Sequence, residues 1–222
     1  MIFTRRNQTR PEPLTPAPPQ IIARGKRVVL REFAREDVDR WLAWPRHKDP
    51  LFESYNPPVL SPRQRDNYFR QYHDSPVLRQ YSVYDLQEEF VGRISIREID
   101  WRLCTAVLGI SFHPERLSQG LGSDALEAFL GYYFGPLRMN VLYLDVAAFN
   151  HRARRVYEKL GFIGRGERWG EPQTDYAGVF RRAEYQAIRH FFRWDSGLIR
   201  PLLIDMMLRR EDWVRQRHTL SP

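Results

Sequence analysis

The sequence predicts an α/β (α+β) domain with a mixed, mostly antiparallel central sheet and helices on its faces. Three strand-like runs, at 80–86, 90–99 and 105–112, follow one another with polar turns between them, which is typical of an antiparallel meander. Residues 123–161 then change to a helix, strand, helix pattern. An apolar fraction of 42% in 222 residues is enough for one packed core.

The chain is predicted to consist of a flexible arm over residues 1–20 and a single domain over residues 21–222. The arm contains five prolines and no periodic apolar pattern. Its basic residues precede no apolar stretch, so we expect no secretory signal. No run approaches the roughly 18 apolar residues that cross a bilayer. The sequence therefore favours a cytoplasmic, globular protein without a membrane partner.

The first half of the domain is predicted to hold one strand and two helices. Residues 26–33 are rich in β-branched side chains and predict a strand. Residues 34–45 carry acidic side chains in the first turn, an apolar face and a final proline, which predict a helix. Residues 62–73 begin with proline after a serine cap and align three aromatic side chains, which also predicts a helix.

The second half is predicted from its periodicity and its caps. Asn150 is a natural N-cap and Gly161 a natural helix end. The predicted elements are a helix over 123–134, a buried strand over 140–147, a helix over 150–161, a strand from 162 to 169, and a closing hairpin of 186–194 with 198–208.

The charged and sulfur-containing residues exclude some functions. The net charge is +8, and all but three of the 35 basic residues are arginines, scattered rather than clustered. This favours acidic partners or reflects coding bias. No aromatic and basic interleaving typical of a nucleic-acid module is present, so nucleic acid is disfavoured. Cys104 is the one cysteine and the six histidines show no metal-ligand spacing, so we expect no disulfide and no metal.

The loop RLSQGLGS at 116–123 joins a strand to a helix. Gly120 and Gly122 permit unusual backbone angles and let a ligand approach the main chain. Successive amides here, together with the N-terminus of the following helix, would bind a pyrophosphate. The alternative is a tight turn that needs glycine for its geometry alone.

Two other phosphate-binding motifs were compared with this loop. The nucleoside-triphosphate loop requires a lysine after the glycines, which is absent. Gly120, Gly122 and Ala125 satisfy the dinucleotide fingerprint, and Asp145 ends a later strand. That fingerprint follows its strand directly, whereas seven residues intervene here. The dinucleotide interpretation is therefore disfavoured.

Two motifs at the correct spacing resemble those of the GNAT superfamily of N-acetyltransferases. The loop matches Q/R-x-x-G-x-G/A at Gly120 and Gly122, although Leu117 occupies the leading position. Residues 150–162 match N-x-x-A-x-x-x-Y-E-K-L-G-F. Gln119 and the C-terminal LIDMMLRREDW are similar to the ribosomal-protein N-terminal acetyltransferase branch. The resemblance implies six to seven strands, about four helices and a sheet splayed at an acyl-CoA site.

The resemblance also implies which residues bind acetyl-CoA, the acyl donor. The implied contacts are Ile110, Ser111, Phe112, Leu117, Gln119, Gly120, Leu121, Gly122, Ser123, Asn150 and Tyr157. Tyr157 would also protonate the departing thiolate, although a tyrosine on the apolar face of a helix is otherwise a core residue. Asn150 has a second interpretation as the helix cap.

The general base and the acceptor are less well defined. Glu98 or Asp100 would take the proton of the amine, unless each is simply a solvated carboxylate at a strand end. The acceptor is expected to be an amine, either a protein N-terminus or a small molecule such as an amino sugar, a polyamine or an antibiotic. Residues 170–185, with Glu171, Asp175 and Glu184, either line the acceptor cleft or form a surface excursion. A non-catalytic acyl-CoA-binding module and a homodimer remain open alternatives.

Overall fold

A computed structural model describes residues 19–172, 176, 178–179, 182–195 and 197–219. Most of the predicted arm, residues 1–18, lies outside this part of the chain, as does Asp175. The strands of the described residues are β1 Ile21–Arg24, β2 Val28–Glu32, β3 Arg79–Asp85, β4 Phe90–Asp100, β5 Thr105–Phe112, β6 Val141–Ala147, β7 Ile163–Trp169, β8 Phe192–Asp195 and β9 Leu198–Arg209.

Helices connect and cover these strands. The α-helices are α1 Arg35–Leu42, α2 Pro62–His73, α3 Leu121–Phe134, α4 His151–Lys159 and α5 Arg210–Thr219. Short 3-10 helices occupy Pro50–Tyr55, Pro114–Arg116 and Ala183–Phe191.

The sheet has the order β1-β2-β3-β4-β5-β6-β9-β7, and β8 pairs with the first residues of β9. Every neighbouring pair is antiparallel except β5 with β6, which is parallel. The predicted mixed, mostly antiparallel class is therefore confirmed. The sheet has nine strands where six to seven were expected.

The predicted element order was wrong in three places, one of which is helix α5, for which no element was predicted. The four residues of β1 were not recognised, because so short a strand shows too little alternation. The first arm of the predicted closing hairpin is mostly the 3-10 helix Ala183–Phe191, and only β8 pairs with β9. Its partly buried side chains are three residues apart, the period of a 3-10 helix: Tyr185, Ile188 and Phe191.

The two central strands separate after a short parallel contact. Residues 105–107 of β5 pair with residues 141–143 of β6, and no pairing continues beyond them in the described residues. Outer neighbours hold both strands along their length, since β4 pairs with β5 up to Phe112 and β9 pairs with β6 up to Ala147. The separation is therefore a fixed gap in the sheet, as the family resemblance implied.

Helix α3 closes one face of the sheet with the side chains that its periodicity predicted. Leu126, Phe129, Leu130 and Tyr133 are all fully buried. The Tyr133 hydroxyl donates to the carbonyl of Val141 at 2.8 Å, so the one polar group on this face is satisfied. This packing holds the N-terminus of α3 at the end of the gap.

Asp124 fixes the start of α3 to the β1–β2 turn. Its carboxylate accepts hydrogen bonds from the backbone N–H of Lys26 at 3.0 Å and of Arg27 at 2.7 Å. A side chain at Gly25 would place its Cβ only 2.3 Å from the Asp124 carboxylate. The Arg27 guanidinium also donates to the carbonyl of Gln119 at 2.6 Å. The turn and the glycine loop are therefore held together.

Replacing Asp124 with Ala is expected to lower the free energy of unfolding by about 1–3 kcal/mol, because two backbone N–H groups lose their acceptor. Urea unfolding measures the change. Asp212→Ala is a matched control in the first turn of α5, where the carboxylate makes a weak exposed pair with Arg215 at 3.7 Å. Equal urea concentrations at the unfolding midpoint for Asp124→Ala and Asp212→Ala would contradict the anchoring role of Asp124.

Candidate active site

A cleft of about 410 Å³ occupies the gap between β5 and β6. Its walls come from β4, β5, β6, the glycine loop, α4 and the segment around the Pro50–Tyr55 helix. Of the residues implied by the resemblance, those that line it are Ile110, Ser111, Phe112, Leu117, Gly120, Gly122, Ser123, Asn150 and Tyr157. Gln119, Leu121 and Glu98 are not among the residues that line it.

The glycine loop presents its backbone N–H groups to the cleft. Gly120 has φ +81°, a left-handed conformation that strains other residues. In the part of the chain that the structure describes, the N–H groups of residues 117–123 donate to no other group. A Cβ on Gly122 would touch the Phe112 ring at 3.5 Å, so the glycine keeps this wall open. Free amides at a helix N-terminus form a binding site for an anion such as a diphosphate.

The side chains of the loop have other partners. The Gln119 amide donates to the carbonyl of Glu115 at 3.0 Å, and Leu121 packs in the core with 6% of its surface exposed. Arg116, one place before the expected basic position, forms an ion pair with the buried carboxylate of Asp85. Gln119 and Leu121 can therefore serve a ligand through their main chain, whereas Arg116 is held at the wall of the cleft.

Strand β5 directs alternate backbone groups into the gap. His113 donates its N–H to the carbonyl of Val91, its partner in the register, so alternate residues before it also bond to β4. The backbone groups of Ile110 and Phe112 consequently face β6, where no strand pairs with them. Ser111 bonds to β4, and its hydroxyl accepts a hydrogen bond from Arg93 at 2.9 Å. Two of the three residues implied in β5 thus offer free backbone groups.

Helix α4 brings Asn150 and Tyr157 to the opposite wall. The Asn150 carboxamide oxygen accepts the N–H of Ala153 at 3.2 Å, which confirms the cap. Tyr157 is 8% exposed, and its ring packs against Phe162 at 5.7 Å between centroids. Burial, with smaller effects of Tyr55 and Asp145, raises the pKa of Tyr157 well above its ordinary value. The phenol therefore remains protonated at neutral pH. The Tyr157 ring belongs to the hydrophobic core and also lines the cleft.

Neither predicted base lies in the cleft. The Glu98 side chain is 72% exposed and lies 3.8 Å from the Arg97 guanidinium. The Asp100 carboxylate accepts the N–H groups of Arg102 and Leu103 at 2.9 and 2.8 Å and so caps the β4–β5 turn. The cap on the turn accounts for Asp100 without a catalytic role. Glu98 is a solvated carboxylate near the end of β4.

Sequence reasoning missed the acidic residue that does line the cleft. Asp145 is the one carboxylate among the described lining residues. It pairs with Arg97 at 2.9 Å and Arg168 at 3.6 Å. An acidic residue inside the otherwise apolar run 140–147 is the sequence feature that marks Asp145. In the sequence analysis Asp145 has a role only in the disfavoured dinucleotide fingerprint.

His47 and Tyr55 were also missed, because they lie more than 60 residues before either motif. Their rings contact each other at 6.4 Å between centroids, and both line the cleft. Burial and the Arg152 guanidinium lower the pKa of His47 below 6.5, against a smaller opposite effect of Asp49. Burial raises the pKa of Tyr55. No local pattern distinguishes these side chains from other loop residues.

A second cavity of about 460 Å³ shares Arg97 and Asp145 with the cleft. Its other charged side chains are Glu98, Arg165, Glu167, Arg168 and Asp205. Arg168 bridges Asp145 and Asp205, the latter at 3.0 Å. Glu171 and Glu184 are exposed and line neither cavity, so the expectation that they border an acceptor cleft finds no support in the described residues.

The described residues contain neither a metal-binding cluster nor a membrane-spanning helix. Among the described residues, no group of three or more His, Cys, Asp or Glu side chains is placed to bind a metal ion. Nor does any described helix combine the length and the apolar character needed to span a bilayer.

Comparison with known proteins places these features in a family. A family model described as an acetyltransferase (GNAT) domain matches residues 27–163, more than half of the chain. Spermidine N(1)-acetyltransferase of Vibrio cholerae is 30% identical over 99 residues, which make up 45% of this chain and 57% of that protein. The enzyme of the same name from Escherichia coli K12 is 32% identical over 102 residues, 46% of this chain and 54% of that protein.

The match spans about half the length of these curated relatives. A crystal structure of the Vibrio cholerae enzyme in complex with CoA and spermine superimposes with a TM-score of 0.65. The superposition covers 84% of this chain and 98% of that one, at 19% identity. At this identity the similarity shows a common fold.

Proposed function

The chain belongs to the GNAT acetyltransferase family, and we propose that it is an acetyl-CoA-dependent N-acetyltransferase whose acceptor amine attacks the thioester directly. The observation that carries this proposal is the set of free N–H groups over residues 117–123, at a helix N-terminus beside a gap in the sheet that contains Tyr157. Acetyl-CoA supplies an acetyl group activated as a thioester.

The residues of the cleft suit both ends of this donor. The N–H groups around Gly120 and Gly122 would hold the diphosphate. The free backbone groups of Ile110 and Phe112 would pair with the amides of the pantetheine arm, as an added strand does at a sheet edge. An N–H from the same strand would stabilise the negative charge that develops on the carbonyl oxygen. Tyr157 would donate its proton to the leaving sulfur.

For the acceptor we propose a small primary amine of the polyamine class. The relatives with spermidine as their named substrate support this choice. The second cavity supports it as well, since Glu98 and Glu167 are exposed carboxylates that suit an ammonium group, whereas its Asp145 and Asp205 are paired with arginines. A protein N-terminus is the second candidate, favoured by the resemblance of Gln119 and the LIDMMLRREDW stretch to the ribosomal-protein branch.

Thiol release tests the proposal. The purified protein with acetyl-CoA is expected to release CoA saturably with spermidine or spermine, and more slowly with a peptide bearing a free N-terminus. A preference for the peptide would replace the polyamine assignment. CoA binding without turnover across polyamines, amino sugars and peptides would instead support a non-catalytic acyl-CoA-binding module. The single domain over 21–222, the cytoplasmic location and a homodimer stay predictions.

A further inference from the structure

We propose that His47 is the general base of the reaction and removes the proton of the acceptor ammonium. This inference rests on the proposed function, since it assigns a role within the same cleft. It differs from the expectation that Glu98 or Asp100 is the base, because neither carboxylate lies in the cleft.

A base is required because primary amines are protonated at neutral pH. The described side chains that line the cleft include one imidazole, His47, and one carboxylate, Asp145, which are the types that act as general bases; the others are arginines, tyrosines, serines, asparagine or apolar residues. Asp145 is engaged by Arg97 and Arg168. This leaves His47.

The local structure holds His47 in a defined position. Its backbone N–H donates to the Asn56 side chain at 2.6 Å, which closes the loop around the Pro50–Tyr55 helix. Asp49 caps that helix through the N–H of Leu51 at 2.9 Å and also accepts the Tyr185 hydroxyl at 2.9 Å. The imidazole therefore belongs to a segment anchored at both ends.

The ring of His47 lies beside two aromatic side chains, and its nitrogens are unpaired in the described residues. It contacts Phe52 and Tyr55, at 5.8 and 6.4 Å between centroids. Neither ring nitrogen has a hydrogen-bond partner among the described residues. The half-buried imidazole lines the cleft, so its nitrogens are available to a ligand there.

The charges around His47 favour its neutral form. Burial and Arg152 of α4 lower the pKa of His47, and Asp49 of its own loop raises it by less. Tyr55, from the adjoining helix, carries no charge at pH 7, since its pKa is raised above 10.0. At pH 7 the imidazole therefore has a lone pair available for a proton.

The proton balance of the step is complete without a further reactant. His47 takes one proton from the ammonium and becomes imidazolium. The nitrogen lone pair forms the C–N bond to the acetyl carbon, the C–S bond breaks, and the sulfur takes the phenolic proton of Tyr157. The second proton lost by the nitrogen restores Tyr157, and His47 releases its proton to solvent.

The pH profile of kcat/KM tests this role. The unprotonated form of His47 is the active one and its pKa is lowered, so the acidic limb of the wild-type profile is expected to have its midpoint below pH 6.5. His47→Gln should lower kcat/KM by about 100-fold and remove this acidic limb. His73→Gln is the matched control, because His73 lies on α2 with 63% of its side chain exposed. His73→Gln should retain both the wild-type kcat/KM and the acidic limb of its pH profile.

Added imidazole provides a second readout. His47→Ala is expected to regain activity in proportion to the concentration of neutral imidazole, while its CoA affinity remains that of the wild type. A His47→Gln enzyme with the wild-type rate and acidic limb would overturn the assignment, as would a slow His47→Ala enzyme that imidazole does not rescue. If the wild type itself shows no turnover with any amine, the proposed function fails, which is a different result from either of these.

Discussion

Tyr157→Phe is expected to lower kcat by about 100-fold or more, while the Kd for CoA changes by less than about twofold. The phenylalanine keeps the ring that packs against Phe162, so the core and the cleft wall survive. It removes the hydroxyl that would protonate the departing sulfur. Steady-state thiol release measures kcat, and calorimetry with CoA measures the affinity.

The pH dependence of this role has a defined sign. An acid must be protonated to work, and the pKa of Tyr157 is raised by burial. The alkaline decline of wild-type kcat that belongs to this group should therefore begin only above pH 10.0, the ordinary value for tyrosine. Tyr72→Phe on α2, remote from the cleft, is the control. Turnover of Tyr157→Phe equal to that of the control would remove Tyr157 from the acid role.

Gly120→Ala is expected to weaken CoA binding by about tenfold. Gly120 has φ +81°, where an L side chain costs about 1–2 kcal/mol, and its Cβ would approach the Arg27 guanidinium to 3.0 Å. The backbone is expected to leave the left-handed region and to turn the loop amides away from the diphosphate. Calorimetry with CoA measures the loss.

Gly131→Ala is the matched control for this variant. Gly131 lies in the same helix that follows the loop, with no atom within 4 Å of an added Cβ and no positive φ. The change should leave CoA affinity unaltered, and it should stabilise α3 by up to about 1 kcal/mol. Equal Kd values for Gly120→Ala and Gly131→Ala would show that the conformation of the loop does not determine the binding of CoA.

Local sequence patterns were sufficient for the elements that frame the cleft. The helix over 62–73 and the strand over 105–112 were predicted at their observed bounds. The apolar face of α3 and the cap at Asn150 were predicted as well. Each of these features depends on side chains within a few residues of one another, so periodicity and capping preferences report them directly.

The elements that were missed depend on partners far along the chain. Strand β1 exists because β2 pairs with it, and its four residues show no clear period of their own. Residues 186–194 were predicted as a strand, but 186–191 belong to a 3-10 helix whose side chains pack on the apolar cluster around Phe149 and Phe192. Tertiary packing outweighs local propensity in such short segments.

The sequence by itself determined the family motifs, the glycine loop and the tyrosine of α4, because both motifs are contiguous and their chemistry resides in the backbone or in one side chain. Only the tertiary structure decided which groups meet in the cleft. It placed Glu98 and Asp100 outside the cleft, and it placed His47 and Asp145, nearly a hundred residues apart in the sequence, among the residues that line it. The physical reason is that the gap between β5 and β6 arises from pairing between strands that are far apart in the sequence. The side chains that line the gap therefore come from distant segments, and local sequence patterns do not identify them.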